Sequence, residues 1–124
     1  MLGVKDKGIL LQIIKRCSRV TSKVSNITEA EFSRNDDVKE VVCFNLFQIG
    51  ELANGLSLEF MKEYNKIPWK QIIGMRNKIV HGYDTINLEI VWNTAIESIP
   101  EPVPMSNTDF SSISNVFKIN FNIS

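Results

Sequence analysis

Histidine occurs once in this chain and cysteine twice, in 124 residues. A structural zinc site takes about four nitrogen or sulfur ligands. One histidine and two distant cysteines do not supply them, so no metal ligand set is read. Cys17 and Cys43 each fall inside a segment of apolar periodicity. That predicts buried, reduced thiols and a cytoplasmic setting. No apolar run approaches the ~18 residues of a membrane span, so no membrane association is expected. Residues 1–7 are charged and lack a cleavage-site pattern, so no signal peptide is read there. No internal repeat is visible.

Net charge is missing too, with 14 Lys and Arg against 14 Asp and Glu. A nucleic-acid binder usually carries a global basic excess. Here the charge is arranged in blocks. Residues 1–24 carry six basic groups and one acid, +5, and residues 25–61 carry two and seven, −5. Residues 62–83 carry five and one, +4, and residues 84–124 carry one and five, −4. A local basic groove fits this pattern, and so do the alternating faces of a solvated bundle. Hydrophobic residues make up 44%, which excludes disorder of the chain as a whole. The length predicts one domain with a core that needs no staples.

Residues 4–24 place Val4, Ile9, Leu10, Ile13, Ile14, Cys17, Val20 and Val24 at helical spacing, with Lys15, Arg16, Arg19 and Lys23 largely opposite. Thr28 and Glu31 form a capping-box pattern that opens a short turn. Asp36 or Asp37 is the expected cap of the next helix. Residues 37–55 are the most apolar segment and read as a central core helix, with Phe44 and Phe47 in its apolar set. Asn45 and Gln48 interrupt it, and Gly55 is its expected stop. Ser57 to Met61 reads as a short helical turn. Pro68 fits the first turn of a helix over 69–81, with Trp69, Ile72, Ile73, Met75, Ile79 and Val80 on its buried side. Gly82 ends that helix. Asn87 is the expected cap of a last helix, whose core face is Leu88, Ile90, Val91, Ala95 and Ile96. Pro100, Pro102 and Pro104 then end any helix. The expected architecture is all-α: an antiparallel bundle of four or five helices over residues 1–99. A loosely held, irregular tail over 100–124 follows, with a short strand allowed by the alternation at 116–121.

The chain's histidine lies in the run Arg76-Asn77-Lys78-Ile79-Val80-His81-Gly82-Tyr83. A fixed cation, an amide, a group titrating near neutrality and a phenol stand within eight positions. Such a set can handle a phosphodiester without metal or cofactor. Metal-free RNA cleavage needs a base for the 2′-hydroxyl, charge to stabilise the phosphorane, and an acid for the leaving oxygen. His81 suits the acid or base role. Arg76 suits charge stabilisation and can grip a phosphate with two donors. Asn77 can donate to a non-bridging oxygen or a ribose hydroxyl. Five helical steps separate Arg76 from His81 by about 140° on the wheel, so they converge only if the helix ends or tightens near His81. One chain cannot supply both a histidine acid and a histidine base. A symmetric dimer could bring two His81 side chains to one cleft. In a monomer, Tyr83 or Lys78 are the candidate acids. On spacing alone the same residues also fit a helix cap at His81, an ion-pair partner at Arg76 and a gap filler beside Trp92 at Tyr83.

This run resembles the Arg-x4-His-x-Tyr signature of HepT-like proteins of the HEPN (higher eukaryotes and prokaryotes nucleotide-binding) superfamily. Phe44-Asn45-Leu46-Phe47-Gln48-Ile49-Gly50-Glu51 is similar to the family's Asn-Leu-x-x-Ile-Gly-Glu helix. Ile67-Pro68-Trp69-Lys70-Gln71-Ile72-Ile73-Gly74-Met75 is similar to its Ile-Pro-Trp-x-x-Ile-x-Gly-Met lead-in. Leu88-Glu89-Ile90-Val91-Trp92 resembles the segment that follows. The likeness covers about residues 4–99 and departs at the prolines.

The resemblance implies a helical bundle that forms a homodimer, with the motifs facing a shared cleft and Asn45 and Gln48 lining it. It implies an endoribonuclease toxin of a type VII toxin–antitoxin module, with Arg76 and His81 as catalytic pair, supported by Asn77 and Lys78, and RNA as substrate. The implied partner is an MNT-type nucleotidyltransferase antitoxin that adds AMP to Tyr83. Two other readings remain: a catalytically inactive nucleotide- or RNA-binding subunit of a nucleotidyltransferase complex, and a structural interaction protein.

Overall fold

The apolar stripe of residues 4–24 becomes helix α1 (Val4–Val24), which buries Leu10, Ile13, Ile14, Cys17, Val20 and Val24. The structure is a computed structural model, and it describes residues 3–65, 67–81, 88–93 and 95. Helix α2 (Glu29–Arg34) opens with the expected capping box. The Thr28 hydroxyl accepts from the Glu31 N–H, and the Glu31 carboxylate accepts from the Thr28 N–H. Two orphan donors are thereby satisfied at the start of a helix too short to hold itself together.

Helix α3 (Asp36–Asn54) is capped by Asn35, whose side-chain oxygen accepts from the Val38 N–H at 3.1 Å. The expected caps Asp36 and Asp37 lie inside its first turn instead. Asn35 is extended (φ −108°, ψ 98°), so it ends α2 and starts α3 in one residue. The two carboxylates then face the positive end of the helix dipole. Ser57 caps helix α4 (Leu58–Glu63). Helix α5 (Trp69–His81) spans the residues its periodicity predicts. Pro68 stands just outside it and supplies the carbonyl that accepts from the Ile72 N–H. Helix α6 (Leu88–Asn93) follows. Six helices and no strand thus occur among the described residues, against an expected four or five helices. The difference is α2 and α4, which read from sequence as turns. The expected caps Gly82 and Asn87, and the tail with its strand at 116–121, lie outside the described residues.

The core is built by α1, α3 and α5, with α2 closing against α6 through Phe32 and Trp92, whose ring centroids are 5.3 Å apart. Helices α1 and α3 run antiparallel. The Asp6 carboxylate at the start of α1 accepts from the Ser57 N–H (2.9 Å) and hydroxyl (2.7 Å) just past the end of α3. Further along, Arg16 bonds to Asn45. Asp6 is buried, and its two bonds lock the register of α1 on the rest of the bundle. Phe60, Tyr64 and Trp69 stack α4 against the start of α5, and the Trp69 indole N–H donates to the Tyr64 carbonyl at 3.1 Å. Both cysteines are free and buried, as expected. Desolvation pushes the Cys17 thiol up to about 12 and the Cys43 thiol to about 11, so neither is a nucleophile near neutral pH.

The tightest packing constraint is at Gly50 on α3. A Cβ placed there would stand 3.0 Å from the Arg76 nitrogen and 3.0 Å from the Ile72 carbonyl oxygen. Those atoms are i+4 partners in the α5 backbone, so neither can rotate away. Gly8 on α1 is the opposite case, with nothing within 4 Å of a Cβ. Gly50→Ala should therefore destabilise the fold by about 1–3 kcal/mol through overpacking. Gly8→Ala should stabilise it by about 0.5–1 kcal/mol, because alanine lowers the entropy of the unfolded chain. Urea unfolding of both variants measures the two signs, and equal stability of Gly50→Ala and wild type would contradict the close approach.

Candidate active site

Burial of Trp69, Ile72 and Met75 turns α5 so that residue 76 meets α3. Gly50 lets the two backbones close, and Glu51 comes next in the chain. The result is a polar contact between the helices: Arg76 Nη1 donates to Glu51 Oε1 at 3.2 Å. The Arg76 side chain is 28% exposed and that of Glu51 45%. A pair this open adds little to stability. Its effect is orientation. The carboxylate engages one of the five guanidinium donors and leaves a fixed cation open to solvent.

Asn77 is exposed on α5, next to Arg76. Lys78 and His81 belong to α5, which runs through His81, but their side chains lie outside the described residues. Tyr83 also lies outside them. Along a regular helix the Cα positions of Arg76 and His81 are separated by about 140° and a rise of roughly 7.5 Å. The described structure therefore brings Arg76 to Glu51 and leaves the Arg76–His81 pairing to whatever follows α5.

Asn45 lies buried at the contact between α1 and α3. It is 2% exposed, donates to the Val41 carbonyl at 2.7 Å, and accepts from Arg16 Nη1 at 3.2 Å. The reason is α1, which covers this part of α3 and supplies a cationic partner for the amide. Arg16 is accordingly half-buried against α3, whereas Lys15, Arg19 and Lys23 are exposed. Gln48 is half-buried. Phe44, read as part of the apolar set of α3, is 53% exposed, and Val4 on α1 is 92% exposed.

Sequence reasoning missed Glu51 as the partner of Arg76 and Arg16 as the partner of Asn45. A usable signal existed for the first. Phe44, Gln48 and Glu51 are spaced four and three apart, so they share one stripe of α3. Two polar residues on that stripe mark it as outward-facing.

The family model for HepT-like ribonucleases matches residues 10–105, most of the chain. The chain is 34% identical to "Putative RNase TTE0752" of Caldanaerobacter subterraneus subsp. tengcongensis over 92 residues, covering 74% of this chain and 82% of that protein. It is 32% identical to "Putative RNase MJ1216" of Methanocaldococcus jannaschii, covering 77% and 78% respectively. A shorter match joins it to "Probable ribonuclease HepT" of Thermococcus cleftensis, 33% identical over 42% of this chain and 47% of that protein. No solved structure gives a significant match. The chain belongs to the HepT-like ribonuclease family of the HEPN superfamily.

Because the Arg76–Glu51 pair is exposed, Glu51→Gln should change stability by less than about 1 kcal/mol. The change should disappear at about 1 M salt, where the screening length is ~3 Å. Urea titrations at low and high salt measure it. A loss of several kcal/mol would mean that the pair holds the helices together.

Proposed function

We propose that this chain is a metal-independent endoribonuclease. Its membership of a ribonuclease family supports the reaction class. One observation carries the assignment to this site. Arg76 is held by Glu51 as a solvent-open cation, five residues before the chain's histidine on the same helix. In the proposed reaction the 2′-hydroxyl attacks the adjacent phosphorus, and the P–O5′ bond breaks. A 2′,3′-cyclic phosphate and a 5′-hydroxyl end result. Arg76 stabilises the charge of the phosphorane, and Asn77 and Lys78 assist in holding it. His81 transfers the proton. With one histidine per chain, the complementary acid or base is the His81 of a second copy, so the active form is a homodimer.

RNA bound at Arg76 competes with Glu51 for the same guanidinium. The carboxylate thus acts as a placeholder that a phosphate displaces, because a bidentate phosphate is the stronger acceptor. His81→Ala should lower cleavage of labelled RNA by about 10²–10⁴. Arg76→Ala should lower it by about 10²–10³. Circular dichroism should show an intact fold in both, and EDTA should change nothing. Wild-type rates in either folded variant would remove that residue from the mechanism, and an EDTA-sensitive rate would remove metal independence. RNA binding without cleavage by the wild type would favour the catalytically inactive binding subunit.

We further propose that the chain is the toxin of a two-gene type VII module. Its partner is an MNT-type nucleotidyltransferase that silences it by modifying Tyr83. The tyrosine oxygen attacks the α-phosphate of ATP, pyrophosphate leaves, and a phosphodiester-linked AMP remains. The new anion lies seven residues from Arg76 in sequence and would oppose an incoming phosphate by charge and by volume. Two measurements test this regulation and the assembly. Sedimentation at micromolar concentration should show a dimer. Incubation with the partner and ATP should add the mass of AMP to the wild type and not to Tyr83→Phe. An equal mass gain in both would place the modification elsewhere.

A further inference from the structure

Between α1 and α3 lies an open groove of about 360 Å³, lined by Lys15, Arg16 and Arg19 from one helix and by Glu40, Phe44 and Asn45 from the other. Three cations face one acid. Lys15 and Arg19 are exposed, and neither has an ion-pair partner among the described residues. Arg16 is held along the groove by its bond to Asn45 and by the Phe44 ring, whose centroid is 5.5 Å from the guanidinium carbon. Its Nε is buried without a hydrogen-bond partner. A guanidinium partly withdrawn from water, with no ion-pair partner among the described residues, favours the approach of an anion. Phe44 is half exposed next to this charge.

An exposed aromatic among unpaired cations is the combination that binds single-stranded nucleic acid. The cations track the phosphates and the ring stacks a base, with little demand on sequence. Val41 also lines the groove, and the excess of three cations over one acid favours a polyanion over a neutral partner. The groove and the Arg76 site are also reached from one stripe of α3. Phe44, Gln48 and Glu51 follow one stripe of α3, and the rise from Phe44 to Glu51 is roughly 10 Å. Glu51 in turn contacts Arg76. A strand lying along the stripe would meet both.

We propose that the α1–α3 groove is a binding site for single-stranded RNA, in which Lys15 and Arg19 pair with phosphates and Phe44 stacks a base. The proposal rests on the ribonuclease reading for the choice of RNA as the polyanion, and its test does not depend on cleavage. The probe is a labelled, fully 2′-O-methylated single strand of about 12 nucleotides, which lacks the attacking hydroxyl. Fluorescence anisotropy with the full chain gives its affinity between ~50 and ~200 mM salt. Phe44→Ala should weaken binding about tenfold. The double variant Lys15→Gln with Arg19→Gln should also weaken it about tenfold and flatten the salt slope by ~1.4, the share of two phosphates on a single strand. Lys62→Gln, on α4 outside the groove, should bind like the wild type.

Wild-type affinity in both groove variants would overturn the site, as would failure of the wild type to bind the probe. If affinity falls only together with a change in sedimentation in both variants, the groove is a protein interface and the proposal fails. The double variant touches only exposed side chains, so it decides the matter even if Phe44→Ala folds poorly. Binding of the methylated strand by a wild type that cleaves no natural RNA would uphold the groove and reject the ribonuclease reading.

Discussion

Helices α3 and α5 approach until a missing side chain limits them. At Gly50 the backbone of α3 sits over a hydrogen-bonding pair of α5 backbone atoms, Arg76 N and Ile72 O. The neighbours Ile49 and Ala53 are fully buried, so this contact is part of the core. Backbone atoms cannot repack, and a close contact between them fixes helix distance and rotation more firmly than side-chain contacts do. Arg76 is therefore positioned by its own main chain. The exposed bond to Glu51 only chooses among the directions its guanidinium can take. The strong term places the residue and the weak one aims it. That division leaves the cation displaceable by a ligand without cost to the fold.

Helix α1 holds α3 from another side, and it does so with polar groups. Asp6 on Ser57 and Arg16 on Asn45 are paired across the antiparallel contact. Apolar contacts between two helices tolerate sliding, whereas a buried carboxylate or amide must meet its donors. These two bonds thus define one register for α1 on α3. The register has a functional consequence, because it sets Lys15, Arg16 and Arg19 beside Phe44. With α1 on one side and α5 on the other, α3 keeps one stripe toward solvent. That stripe carries Phe44, which lines the basic groove, then Gln48 and Glu51, which bonds Arg76. The zero net charge of the chain is compatible with binding a polyanion for this reason. Lys15, Arg16 and Arg19 of α1 gather in the groove against Glu40 alone, while Glu29, Glu31, Asp36 and Asp37 stay with α2 and the start of α3.

Local order along the chain was legible from residue spacing. The bounds of α1 and α5, the Thr28–Glu31 capping box and the buried set of α1 all follow from periodicity and capping chemistry, which act within a few residues. The family was legible as well, because it rests on ordered motifs over most of the chain. The orientation of α3 was not. Its apolar residues go nearly all round the helix, so periodicity could not say that Phe44 faces out while Asn45 faces in. The choice depended on which side α1 covered. Asn35 as cap was missed because an asparagine followed by two aspartates gives three candidates of similar strength, and only the backbone conformation decides among them.

The sequence by itself determined the long helices α1, α3 and α5 to within a residue at each end, and that Arg76 and His81 fall on one helix near its C-terminal end. Those properties depend on side chains a few positions apart. Tertiary structure alone decided that Glu51 aims Arg76, that Arg16 satisfies Asn45, and that Gly50 sets the distance between α3 and α5. Each joins residues about 22 to 29 positions apart on different helices. Such pairs carry no spacing signal in one chain, because they depend on how helices rotate and close when the core excludes water.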